Sequence, residues 1–159
     1  MKRAPLPWWN GTDRPGANGA LLVPAVTRWL LRTAMGYLVG ALAVGVLLQW
    51  PALLARRPAL AVLFPTYLHL LVVGWLTQVI FGVAYWMFPR HSAAQPRGSE
   101  PLGWATYALL NAGLLLRVAG EPMHALGHKT GGLLVASALL QLGAGWLFVV
   151  NTWPRVKER

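Results

Sequence analysis

Cysteine is absent from the 159 residues. Its absence excludes a disulfide framework, a thiolate metal site, a Cys-x-x-Cys-His haem attachment and an iron–sulfur cluster. It is neutral as to compartment. Charge is scarce too, at 11% of the chain against 56% hydrophobic residues. A water-facing surface needs far more charge, so the balance excludes an ordinary soluble domain. Acids are rarest of all: Asp13, Glu100, Glu121 and Glu158. The first 20 residues lack the apolar centre of a secretory signal, so the first apolar run is expected to be retained.

Long apolar runs are what the chain has instead. A helix needs ~20 mostly apolar residues to cross a hydrocarbon core ~30 Å thick. Four runs qualify, at roughly 24–50, 59–88, 102–121 and 131–153. They take up most of the chain and imply a single membrane domain over 1–159, entered by a polar arm at 1–22. The connections "PALLARRPA", "PRHSAAQPRGSEP" and "GHKTGG" are short. Short loops join antiparallel neighbours, so the expected fold is all-α, an integral membrane four-helix up-down bundle. Gly36 and Gly40 in the first run, and Gly143 and Gly145 in the fourth, are expected to mark close helix packing.

The net charge of +10 does not point to nucleic acid, because the basic residues flank the runs instead of forming one stripe. Lys2, Arg3, Arg14, Arg28, Arg32, Arg90, Arg97, Arg155, Lys157 and Arg159 fall on one side; Arg56, Arg57, Arg117 and Lys129 fall on the other. The positive-inside rule then places both termini and the middle loop in the cytoplasm. The glycosylation pattern "NGT" at 10–12 carries no weight on that side. Trp8, Trp9, Trp29, Trp50, Trp86, Trp104 and Trp153 sit near run ends, as interfacial tryptophans do. The expected location is the cytoplasmic membrane of a prokaryote, as a multi-pass protein.

One histidine interrupts the second run. His69 lies 20 residues before Pro89, about 30 Å at 1.5 Å per residue, which puts it near the outer edge of the hydrocarbon core. His124 and His128 flank the outer turn between the third and fourth runs, and His91 is alone at the inner face. Two readings of His69 stand. It is a packing histidine bonded to a carbonyl or water, or it is an axial haem ligand whose second ring nitrogen is fixed by a neighbour. His124 and His128 are solvated turn residues or further ligands, with His69 and His124 the candidate metal pair. Gly74 and Gly82 thin the helix surface as a flat macrocycle would require, while Thr77 and Gln78 need partners at mid-membrane. Arg56, Arg57, Arg117 and Lys129 are on the correct side to neutralise haem propionates. Arg117 and Glu121, spaced i, i+4, can instead pair with each other. Three of the four acids are expected on the inner side, so no catalytic acid–base pair with His69 is expected.

The segment "FPTYLHLLVVGWLTQVIFGVAYWMFPR" resembles the second transmembrane helix of subunit I in the haem–copper oxidase superfamily, closest to C-type oxidases and bacterial nitric oxide reductases. There a histidine near the outer end is an axial ligand of low-spin haem b. His69 matches that ligand, "GVAYWMFPR" at 82–90 matches the helix exit, and "LFVVNTWPRV" at 147–156 looks like helix ends of the superfamily. Family subunits have about twelve helices in three arcs of four. This sequence has four runs, no helix with a histidine pair for copper or non-haem iron, and no His-x-His pair. The resemblance therefore implies one haem b ligand without the oxygen- or nitric-oxide-reducing centre. The second ligand is His124, His128, Met123, or a residue of another copy in a homodimer or homotrimer.

The expected function is a membrane-bound, cytochrome-like haem b protein in electron transfer or haem handling, with an electron donor or a respiratory oxidase as partner. The alternatives are a cofactor-free accessory or assembly subunit, and a five-coordinate haem or copper site for nitric oxide or oxygen. A transporter is disfavoured, since no run is broken at mid-membrane and no inverted repeat is present.

Overall fold

The computed structural model describes residues 23–88 and 98–156. Among these residues there is helix and no strand. Four helices are long and apolar enough to cross a membrane: Ala25–Leu48, Pro58–Met87, Glu100–Ala125 and Gly131–Arg155, here spans one to four. The arm at 1–22 and the connection at 89–97, with His91, lie outside the described residues.

Span three runs past both limits expected for it, and its prolines explain why. Pro101 sits in the first turn, where a missing N–H costs nothing. Pro122 falls in the last turn, and the backbone closes beyond it through Leu126 N–H to Pro122 O at 3.0 Å. The connection between spans one and two is not a plain turn. It holds a short helix, Pro51–Arg56, and a 3-10 stretch, Pro58–Leu63, each opened by a proline.

Span two departs from an α-helix in a way its residues dictate. Its buried positions are Thr66, Leu70, Gly74, Gln78, Gly82 and Tyr85, mostly four residues apart. An α-helix turns in 3.6 residues, so a strict four-residue step would carry that face round by about 40° each time. The helix unwinds to a π-helix over Leu70–Thr77, and the face stays aimed inward. Thr77 Oγ1 donates to the carbonyl of Val72, five residues back, at 2.9 Å. Such π segments are rare and concentrate at functional sites. This one begins directly after His69.

The close approaches are not at the four glycines expected to mark helix packing. A methyl at Gly36 or Gly145 would meet nothing within 4 Å, and one at Gly40 or Gly143 only ordinary contact. Gly113 is a tight point backed by main chain: a Cβ there would lie 3.0 Å from the carbonyl oxygen of Ser137 and 2.9 Å from Gln141. Ser137 Oγ donates to Gly113 O at 2.7 Å across the same contact. Span four buries Ser137, Ala144 and Asn151 at seven-residue steps, the seam of a helix pair packed along its length. Gly113→Val is expected to force spans three and four apart and cost about 2 kcal/mol. A lowered thermal midpoint in detergent, with helicity at low temperature retained, is the readout.

Between spans one, two and three the interior is apolar at one end, where Val26, Leu30 and Tyr85 pack with Phe81, Trp104 and Tyr107. Phe81 stacks on Phe148 with centroids 3.9 Å apart, which ties span four to span two.

Candidate functional site

His69 is the only histidine of span two, and the structure pairs it with an acid. Its Nδ1 lies 3.0 Å from Glu121 Oε1 on span three and 3.0 Å from the carbonyl oxygen of Pro65, one turn back. Both neighbours of Nδ1 are acceptors, so Nδ1 carries a proton. Nε2 has no hydrogen-bond partner among the described residues. In the neutral ring that leaves an available lone pair on Nε2. The imidazole is 29% exposed and the Glu121 side chain 11%, so the pair sits at the edge of the bundle and not in its centre.

Glu121 is held by more than His69. Buried Thr66 donates to Oε2 at 3.4 Å, and an Arg117 terminal nitrogen lies 3.8 Å from Oε1. The i, i+4 pair anticipated from the sequence is present, but the imidazole is the closer partner. His69 and Glu121 thus form a contact that the sequence-based expectation did not include. Its signal was available: Glu121 is the one acid expected on the same side of the membrane as His69. The Arg117 Nε is buried with no hydrogen-bond partner among the described residues, so this guanidinium is incompletely satisfied.

The remaining candidates are dispersed. His124 and His128 are exposed, and neither hydrogen bonds to His69. Met123 is exposed on the same turn as His124. Arg56, Arg57 and Lys129 are exposed and make no ion pair among the described residues. No group of three metal-binding side chains forms among the described residues. Gly74 and Gly82 are not free for a macrocycle, because Tyr37 fills the space over the first and Leu30 and Leu31 that over the second. A cavity of about 740 Å³ at this end of span one is lined by Gly45, Trp50, Phe64 and Tyr67, and does not include His69.

Three residues that sequence reasoning passed over, Thr33, Tyr37 and Asn111, supply the partners Gln78 needs. Gln78, fully buried, accepts from Thr33 Oγ1 at 2.8 Å. Gln78 Nε2 donates to Asn111 Oδ1 at 3.3 Å, and Asn111 Nδ2 donates back to Gln78 Oε1 at 3.4 Å. Tyr37 O–H donates to Asn111 Oδ1 at 3.0 Å. The four side chains make a closed polar layer joining spans one, two and three. A buried amide demands such partners. Asn111 precedes Glu121 by ten residues and Gln78 follows His69 by nine, so both pairs share one helix register. Asn111→Leu is expected to cost about 2 kcal/mol by stranding Gln78, while the double change Gln78→Leu with Asn111→Leu costs less than the sum of the two. A double-mutant cycle on detergent unfolding checks this.

Comparisons with protein-family models, characterised proteins and solved structures returned no match.

Proposed function

We propose that the chain is a multi-pass membrane protein that binds haem b, with His69 as an axial ligand through Nε2. The observation that carries this is the double hold on Nδ1 by Glu121 and Pro65 O. Metal-bound histidines donate their other N–H to a carboxylate or carbonyl in this way, which orients the ring and raises its basicity. Arg117, beside Glu121, is the cation placed to meet a propionate. Haem would supply one-electron chemistry; the chain supplies the ligand, its orientation and a low-dielectric rim. Electron transfer or haem handling follows, in line with the resemblance of span two to oxidase subunit I.

The up-down arrangement, the single membrane domain and the cytoplasmic termini, in a prokaryotic inner membrane, belong to the same reading. The side-by-side placement of His69 with Glu121, and of Leu30 with Gly82, supports neighbouring spans running in opposite directions. His124 and His128 are exposed, and in this reading a second copy would supply the other ligand, as a homodimer sharing haem between two His69 side chains. An electron donor or a respiratory oxidase is the partner this implies.

The filled surfaces over Gly74 and Gly82 favour a second reading, the cofactor-free accessory subunit, in which the bundle is closed to a macrocycle and His69–Glu121 is a structural pair. The experiment that separates them is an absorption spectrum of the detergent-purified protein, oxidised and then reduced. Haem bands unmoved by carbon monoxide support six-coordinate haem b. Bands shifted by carbon monoxide support the five-coordinate site for nitric oxide or oxygen. A colourless protein made with ample haem leaves the accessory subunit.

A further inference from the structure

His69 and Gln78 lie on one helix, and both meet span three. His69 Nδ1 is 3.0 Å from Glu121 Oε1, and Gln78 Nε2 is 3.3 Å from Asn111 Oδ1. Gln78 follows His69 by nine positions. Nine residues of α-helix make about two and a half turns, which would set the two side chains on opposite faces. One of the two contacts would then be lost. The wider i→i+5 turns of a π-helix take more residues each, so nine residues make only about two turns. Winding Leu70–Thr77 in this way brings His69 round to the face that Gln78 occupies.

The lipid-facing side of span two carries the same winding. Leu68, Val72, Leu76 and Ile80 are exposed at four-residue steps, and they alternate with buried Leu70, Gly74 and Gln78. The exposed stripe keeps one side over three steps, where an α-wound stripe would have turned through about 120°.

Two contacts hold the segment in this form. Thr77 Oγ1 donates to the carbonyl of Val72 at 2.9 Å, five residues back, the interval of a π turn. Gly74, inside the segment, sits between Tyr37 of span one and Leu114 of span three, where an added Cβ would lie 2.8 and 3.0 Å from them. Tyr37 also donates to Asn111, so the side chain that backs the π segment belongs to the polar layer that holds Gln78.

We propose that the π winding of Leu70–Thr77 is the positioning device for His69, turning the imidazole onto Glu121 while Gln78 keeps Asn111. The segment stores about one residue more than an α-helix needs between the same two contacts. The inference concerns where the ring is aimed, with or without haem, and does not rest on the haem reading.

The chain has no cysteine, so pairs of introduced cysteines report the register without background. Three pairs are made in the full chain in nanodiscs: His69→Cys with Glu121→Cys, Gln78→Cys with Asn111→Cys, and Tyr67→Cys with Glu121→Cys. Each is treated with a short bis-methanethiosulfonate and read by mass spectrometry. The first two pairs are expected to bridge. The third is expected not to, because Tyr67 turns to span one and lies against Gly45. In an α-wound span two with Gln78 held in place, Tyr67 would be about three turns away on the Gln78 face and would take the position opposite Glu121. The first two pairs are then repeated in a chain lacking Val73. A π segment gives up one residue by closing to an α-helix, so both bridges are expected to persist. Loss of the 69–121 bridge in the shortened chain would overturn the proposal, as would a 67–121 bridge as abundant as the 69–121 bridge in the original chain. Should the shortened chain fail to insert, the three pairs in the original chain decide alone. No readout involves haem, so a colourless protein leaves the result intact.

Discussion

Replacing Arg155 with alanine is expected to destabilise the bundle by about 3 kcal/mol, since charge-assisted hydrogen bonds are worth roughly 1.5–3 kcal/mol each. Arg155 is 1% exposed although it follows the last transmembrane turn. One of its terminal nitrogens donates to the carbonyls of Tyr85 at 3.0 Å and Phe88 at 2.8 Å, at the C-terminal end of span two. Its guanidinium also lies 5.6 Å from the Tyr85 ring centroid and 5.9 Å from that of Phe88. A positive group at a helix C-terminus is favoured by the helix dipole as well. Arg155→Lys is expected to recover only part of the loss, because an ammonium lacks the planar fork and its stacking. Thermal or denaturant unfolding in detergent measures both. An unchanged midpoint for Arg155→Ala would mean that these carbonyls are satisfied without it.

The neighbouring contacts extend this lock at the same end of the bundle. Asn151 and the Ser99 backbone exchange two hydrogen bonds, at 2.8 and 3.0 Å, and fix the start of span three to the end of span four. Arg155 thus joins spans two and four while Asn151 joins three and four.

The second large effect is expected at His69. On the haem reading, His69→Ala should abolish haem binding, because Glu121 and the Pro65 carbonyl hold the ring but would offer no nitrogen to iron. Glu121→Gln should keep the haem and weaken its retention, by about 10–100-fold as for other outer-shell partners of ligating histidines. Transfer of haem to an apo-globin acceptor, timed for wild type and variant, reads this. Equal retention in Glu121→Gln would separate the carboxylate from the ligand's function.

Hydropathy alone located the four spans, because crossing a bilayer constrains length and composition before any packing is chosen. Trp29, Trp50, Trp86 and Trp153 are exposed, as residues of an interfacial belt would be, whereas Trp104 packs on the core. What the sequence did not disclose is who meets whom across spans. The Glu121 partner of His69 is 52 positions away in the chain, and the local i, i+4 geometry of Arg117 made the other pairing the visible one. Gln78 announced a need for a partner, yet only helix register identifies Asn111. Gly36 and Gly40 fit a packing motif, but Gly36 faces open space and Gly40 makes only ordinary contact, because a motif cannot tell which side of its helix turns inward. Arg155 read as a flanking cytoplasmic cation, and its burial depends on carbonyls of span two that no local pattern reveals. The π-wound segment was legible in principle, in the four-residue spacing of Thr66, Leu70, Gly74, Gln78 and Gly82.

The most direct measurement is chemical rescue at the imidazole itself. Reduced-minus-oxidised spectra would be recorded for wild type, for His69→Gly, and for His69→Gly supplied with free imidazole. The expected result is a low-spin haem b band in wild type, its loss in the variant, and its return with imidazole. A colourless wild type, or a variant that keeps the band unaided, would contradict iron ligation by His69.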